Sequence, residues 1–384
     1  MIDVHAHVGA FRYGLSPQKH WQYWTNLAYG VTTTHDPSTN SEMAFSQSEM
    51  VKTGAMVGPR IFSTGTILYG ADGDFKATID KYEDAVFALK RTKSWGAFSV
   101  KSYNQPRREQ RQMVIKAAKE LGMLVVPEGG SFFYHNMSQV ADGHTGVEHN
   151  IPVAPLYKDV LNFWKASGSH NTPTLIVNYG SVNGEYYWYQ NTEVWNNKKL
   201  LRFTPRHIID GRSRHRTMIP QEEYDNGHIL TSKSCKALQD NGVNINLGSH
   251  GQIQGIGAHW ELWMFVQGGM SPMQALRSAT LNGAKYIGMD QEIGSIKAGK
   301  LADLVIMEKN PLDDIRNSES ITHTMINGRL YNAEDMEQIY PENKKRTKFY
   351  WELPGAVFPF DVNGQSNTSH GVNCSCQGLM MEGQ

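Results

Sequence analysis

The chain is poor in cysteine, has no excess of either charge and contains no long apolar run, and each shortage removes a class of protein. Cys235, Cys374 and Cys376 are the only cysteines in 384 residues, which excludes a disulfide framework and leaves the redox compartment unread. Lysine and arginine together number 37, as do aspartate and glutamate, so no net field favours nucleic acid or an anionic membrane surface. No apolar run approaches the roughly 18 residues of a spanning helix, which argues against membrane insertion. The first residues carry neither the basic nor the apolar region of a signal peptide. No internal repeat is visible. The composition that remains, 40% hydrophobic and 19% charged, suits one large core with appendages.

Strand-like segments recur through most of the chain: Ile2 to His7, Gly30 to His35, Arg60 to Thr66, Ala97 to Tyr103, Met123 to Glu128, Gly146 to His149, Pro173 to Val177 and Val243 to Gly248. Between them lie amphipathic stretches such as Tyr82 to Ser94 and Gln110 to Leu121, whose apolar residues return every three or four positions. Eight strands alternating with helices predict an α/β fold, a (β/α)8 TIM barrel over residues 1–292. Ser271 to Gly288 has helix punctuation, with Ser271 at the N-cap, Pro272 next and Met273, Leu276, Ala279 and Ala284 facing inward. Residues 293–335 read as part of a small β unit with a strand pair around Asn327-Gly328, and residues 336–384 as an irregular tail. So few strands need a partner to cover their inner face.

The connection from Asn178 to Asn241 is far longer than an ordinary crossover. It holds Tyr179, Tyr186, Tyr187, Trp188, Tyr189 and Trp195, then the basic residues Arg206, Arg212, Arg214 and Arg216. Such a stretch can wall an active site and read substrate, or form a packing or oligomer surface.

His5-Ala-His7 is the first candidate site. The two-residue side-chain period of a strand puts both imidazoles on one face, and neutral imidazole is the commonest protein ligand of zinc-like ions. Two satisfied histidines at a strand end are the plainer reading. Lys101, Glu128, His149 and His250 each close a predicted strand, and in a barrel all strand C-termini meet around one pocket. Six such residues at one end point to a metal site. Asp36, His35 and His144 are secondary candidates, and Tyr103 can donate a hydrogen bond to a developing oxyanion. The tail residues His370, Cys374 and Cys376 form a second, weaker cluster for a soft metal.

His5-Ala-His7, Glu148-His149, His259-Trp-Glu-Leu and the run from Gly294 through Lys300, Asp303 and Asn310 to Leu312 resemble the amidohydrolase superfamily over roughly Ile2 to Leu330. Within it the chain is most similar to the secreted type often fused behind a TolB-like β-propeller. The resemblance implies hydrolysis by one or two divalent ions, usually zinc. It implies His5 and His7 as strand-one ligands, His149 as the strand-six ligand and Lys101 as a carboxylated, metal-bridging lysine. Glu128 stands where a strand-five histidine is usual, and His250 where an aspartate normally binds metal and shuttles the proton. A glutamate can ligate and a histidine can act as base, so the expected set is His5, His7, Lys101, Glu128 and His149 on metal, with His250, Glu128 and Tyr103 in catalysis. His259, Arg212 and Tyr179 are the expected substrate contacts.

The implied reaction is cleavage of an amide or peptide bond in a short peptide or N-acyl amino acid, whose carboxylate an arginine can grip. Lactone, ester or cyclic-amide hydrolysis on the same centre is the alternative, and a non-catalytic binding or scaffold homologue is the reading of another class. The resemblance also implies export to the periplasm or beyond, with the cytoplasm as the alternative. A homo-oligomer, or a piece of a longer chain carrying an N-terminal β-propeller and the other half of the small β-sandwich, is the expected assembly.

Overall fold

The computed structural model describes residues 1–8, 19–71, 76–213 and 218–353. His370, Cys374, Cys376, Arg214 and Arg216 lie outside them. Nine short strands build the larger unit: β1 (Ile2–Asp3), β2 (Thr33–Asp36), β3 (Arg60–Ser63), β4 (Ile67–Tyr69), β5 (Lys76–Thr78), β6 (Ser99–Ser102), β7 (Leu124–Pro127), β8 (Gly146–Glu148) and β9 (His170–Thr172). They pair in parallel as β1-β2-β3, β5-β4-β6-β7 and β8-β9. A bridge between Glu128 and Glu148 joins the second group to the third, and one between Asn171 and Ile245 joins β9 to the last barrel segment. The Val4 amide donates to Leu247 O at 3.0 Å and returns the ring to β1. This is the TIM barrel expected from the alternating pattern, although its ladder is not closed between β3 and β6.

Three strands differ from expectation, each for a local reason. The third, expected over Arg60 to Thr66, breaks at Gly65, whose φ of +63° is left-handed. Its first half pairs with β2 and the continuation, β4, with β6. The seventh lies at His170–Thr172, and the apolar Leu175–Val177 forms a 3-10 turn instead of a strand. Both Leu175 and Ile176 give their amides to the buried Glu261 carboxylate, at 2.8 and 3.1 Å, so that run is fixed as a turn. The eighth segment, Val243 to Gly248, is held on both sides but makes only one bridge.

Tyr82–Ser94 is a helix over the expected residues, and the next begins two positions early, at Arg108. Ser271 caps its helix by accepting from the Gln274 amide. Ala279 and Ala284 are buried there as expected, whereas Met273 is 52% exposed. The helix Ile256–Gln267 is apolar apart from His259, Glu261 and the terminal Gln267, and is buried throughout most of its length, as a helix without a polar face must be. Most of the aromatic connection packs against it: Trp188 and Tyr189 lie in the same core as Trp260 and Trp263. Packing therefore accounts for those rings, and Tyr179 is the exception.

Four antiparallel strands form the smaller unit: β10 (Leu304–Met307), β11 (Ile321–Ile326), β12 (Arg329–Asn332) and β13 (Gln338–Tyr340). The last strand lies inside the stretch expected to be irregular, and an Arg346 to Glu352 ion pair of 2.6 Å fixes the chain beyond it. Ile326, Tyr331 and Met336 join the core that contains Trp260. The sheet thus covers its inner face with the barrel's own helices, and Arg60 adds an ion pair to Asp303 at 2.6 Å.

His259 is part of this joint, which corrects its expected place beside substrate. It is fully buried, with Nδ1 at 2.9 Å from Ser318 Oγ and Nε2 at 3.0 Å from the Tyr29 carbonyl. Burial pushes its pKa from 6.5 down to about 3. A base depressed by folding is protonated first in the unfolded chain, so its contribution to stability is lost as pH falls from 6.5 towards 3. That slope is about 1.4 kcal/mol per pH unit. We expect the His259→Asn variant to lose this one-proton slope in urea titrations across that window; the same slope in both proteins would contradict it.

Candidate metal centre

The C-terminal ends of β1, β6, β7 and β8 and the last barrel segment bring six of the expected residues together. His5, His7 and His250 present ring nitrogens that all lie within 4.8 Å of one another. The His149 ring is 4.9 Å from His5 and 5.3 Å from His250, centre to centre. Lys101 Nζ lies 2.5 Å from Glu128 Oε2, and Glu128 Oε1 lies 2.8 Å from His149 Nε2. Only His7 has appreciable exposure, 35% of its side chain, so the cluster opens to solvent on that side.

Each imidazole is anchored through Nδ1. His5 Nδ1 is 2.5 Å from Glu148 Oε2, His7 Nδ1 is 3.1 Å from Asp36 Oδ1, His149 Nδ1 is 2.6 Å from Thr174 Oγ1 and His250 Nδ1 is 3.3 Å from Gln252 Oε1. Metal-binding histidines are held this way, with one nitrogen bonded to a neighbour and the other turned to the ion. Burial, reinforced by Lys101 and the neighbouring rings, holds His5 well below the ordinary imidazole range. It lowers His149 and His250 too, and neutral imidazole is the form that ligates. The donor set therefore fits a divalent ion of the zinc type.

Backbone geometry aims these groups. His149 and His250 have φ of +67° and +59°, and Thr174 has +47°, conformations that non-glycine residues adopt at a cost and that concentrate at functional sites. Neighbouring strand residues normally point to opposite faces. The left-handed turn at His149 ends that alternation, so Glu148 and His149 both serve the cluster. Glu148 also accepts from the Tyr286 hydroxyl at 2.5 Å. Burial pushes its carboxyl up to about 8, against the pull of Lys101 and that hydroxyl.

Gly251 lets the His250 loop cross the segment that follows β1 at His7. A Cβ added there would meet the His7 carbonyl oxygen at 2.4 Å, and its φ is +79°. Gly251→Ala should destabilise the protein by about 1–3 kcal/mol and weaken zinc binding by moving His7 and His250 apart. Denaturant melts and zinc titration read both quantities, and unchanged values in each would refute the assignment.

Of the expected substrate residues, Tyr179 is at the site. Its ring stacks on His149 at 4.2 Å and its hydroxyl donates to Glu128 Oε1 at 2.9 Å. Burial and the Glu128 charge push the phenol well above its ordinary range, so it remains a donor. Burial raises the Glu128 carboxyl, but His149 and Lys101 outweigh that and hold it well below the carboxylate range. Tyr103 stands beside Tyr69, ring centres 5.8 Å apart. Arg212 faces the buried Glu185, with Nη1 4.0 Å from Oε2. His250, expected as the base, belongs with His5 and His7 by position. Asp36 orients His7, whereas His35 bonds to Val4 O and Ser99 Oγ inside the barrel and His144 to Gln139 O. Glu148 was visible beside His149 but its role was not, and Thr174, Gln252 and Tyr286 carry no sequence signal for theirs.

Fold and cluster together define a TIM barrel with a metal-type centre at the mouth where its strands end. The chain belongs to the amidohydrolase family, whose profile matches residues 1–331. It is 27% identical over 166 residues to ochratoxinase of Aspergillus niger, a match covering 40% of this chain and 35% of that one. It is 31% identical over 120 residues to 5-methylthioadenosine/S-adenosylhomocysteine deaminase of Teredinibacter turnerae, covering 27% of each. The chain thus matches about a third of the length of these relatives. Among solved structures, a Xaa-Pro dipeptidase with bound methionine has a TM-score of 0.64 at 21% identity, covering 86% of this chain and 85% of that one. The bottromycin amidohydrolase has 0.66 at 17%, covering 87% and 76%.

Proposed function

We propose that the protein is a metal-dependent hydrolase of an amide or peptide C–N bond, with a short peptide or N-acyl amino acid as substrate. The observation that carries this reading is the set of four imidazoles anchored through Nδ1, with Lys101 and Glu128 beside them. His5, His7, His149 and His250 would hold the ion, with Lys101 and Glu128 completing the set. A bound zinc-type ion supplies Lewis acidity and an acidified water.

The protein's own groups do the rest. Glu128, the carboxylate that faces Lys101 and His149, would take the proton of the attacking water. Its partners Lys101 and His149 keep it ionised through the neutral range. The Tyr179 hydroxyl, 2.9 Å from that carboxylate, stays protonated and donates to charge developing on the scissile carbonyl oxygen. Carboxylation of Lys101 would replace its attraction to Glu128 by two neighbouring anions, so we tie that modification to metal loading.

Family membership and the activities for which the relatives are named, ochratoxinase and Xaa-Pro dipeptidase among them, support amide cleavage over the ester or lactone alternative. A panel of dipeptides, N-acyl amino acids, aryl esters and lactones tests the choice. Cleavage of amides that stops with a chelator and returns with zinc is the expected result. Turnover of esters or lactones alone would overturn it.

A further inference from the structure

The long connection after the seventh strand supplies a control on His250 that the hydrolase reading does not contain. His250 Nδ1 lies 3.3 Å from Gln252 Oε1, and Gln252 Nε2 donates to Glu185 Oε1 at 3.0 Å. All three residues are buried, Glu185 at 2% exposure. Glu185 sits in the first turn of the helix Gly184–Asn191, and Arg212, from the helix Arg206–Ser213, offsets its charge at 4.0 Å.

The order of partners fixes the protons. Gln252 Nε2 donates to Glu185 Oε1, so the NH2 of the amide is turned towards Glu185. That leaves the Gln252 carbonyl oxygen facing His250, and a carbonyl also only accepts. Nδ1 of His250 must therefore carry the hydrogen, and Nε2 keeps its lone pair on the side of His5 and His7. Without Glu185 the amide can flip, present its NH2 to Nδ1 and drive the hydrogen to Nε2, where it would block ligation.

We propose that Glu185 is a positioning residue which, through the amide of Gln252, locks His250 in the Nδ1–H tautomer and so keeps its Nε2 available to a metal ion. The purpose of the lock rests on the metal-binding reading, but the tautomer itself exists in the metal-free protein. Glu185 and Arg212 come from the stretch expected to read substrate; here they act on the site from behind.

Long-range proton–nitrogen spectra of metal-free protein labelled at histidine, with His250 assigned by its absence from His250→Asn, give the tautomer directly. Zinc titration gives affinity as a second readout. The unaltered chain should show protonated Nδ1. Glu185→Gln should show a mixed or reversed tautomer and bind zinc roughly 10–100-fold more weakly, the range found for residues that support metal ligands. In the double variant Glu185→Gln with Gln252→Glu, the new carboxylate accepts from Nδ1–H directly, so the tautomer and zinc affinity should both return. A Glu185→Gln protein that keeps the Nδ1–H tautomer overturns the proposal, as does a double variant that fails to restore it. If Glu185→Gln does not fold, the spectrum of the folded double variant beside that of Gln252→Leu decides the same point: restored Nδ1–H in the first and its loss in the second are expected, and the same tautomer in both overturns it. Failure of the unaltered chain to bind zinc, with the tautomer as expected, would instead count against the metal reading.

Discussion

Replacing His5 by alanine is expected to remove zinc binding and lower kcat/KM on any amide substrate by roughly a thousandfold or more. The size follows from the several kcal/mol that a Lewis-acidic ion contributes, at about 1.4 kcal/mol for each tenfold in rate. His5 touches the site at four points. Its ring faces His7, His149 and His250 at centre distances of 5.3, 4.9 and 5.2 Å, and its carbonyl accepts from the His250 amide at 2.7 Å. Glu148→Gln should act on the same ring from behind: the amide keeps the shape but weakens the bond to Nδ1, and a loss of about 10–100-fold in zinc affinity is expected. Metal analysis after dialysis, together with steady-state kinetics, measures both. If His5→Ala retained one ion per chain and full activity, the assignment of the centre would be wrong.

Glu261→Leu should cost about 2–6 kcal/mol, because two buried amides, Leu175 N and Ile176 N, would each lose an acceptor worth about 1–3 kcal/mol. Against a typical domain stability of about 5–15 kcal/mol that is a large share. The effect reaches the site as well: the released turn begins one residue after Thr174, whose hydroxyl holds His149 Nδ1 at 2.6 Å, so zinc affinity should fall with stability. The pH dependence has a definite sign. Burial pushes the Glu261 carboxyl from 4.5 up to about 8, against its two amide donors. An acid raised by folding ionises first in the unfolded chain, so its contribution is intact below pH 4.5 and is lost as pH rises to about 8. Glu261→Gln cannot ionise and should lack that decline in denaturation measured from pH 5 to 8. Parallel curves for the two proteins would show that Glu261 is not the titrating group.

Much of the barrel is written in short-range pattern. Tyr82–Ser94 and the cap at Ser271 follow from spacing and from single residues, as does the hairpin at Asn327-Gly328. These depend on neighbours within a few positions, which a sequence displays directly. The seventh strand did not follow, because a carboxylate 86 positions away captures the amides of Leu175 and Ile176. Nor did the cover of the small sheet, which comes from the barrel core around Trp260.

The sequence by itself determined the kinds of side chain at the centre: the alternation that pairs His5 with His7, and strand ends carrying Lys101, Glu128, His149 and His250. A strand's period and its end are local properties. Only the tertiary structure decided how those groups are used. Glu128 faces both Lys101 and His149, His250 joins His5 and His7, and His259 and Arg212 are taken up by Ser318, Tyr29 and Glu185. An imidazole's role depends on what occupies its second nitrogen, and here three of those four partners lie 25 to 143 positions away in the chain, where no local pattern reaches.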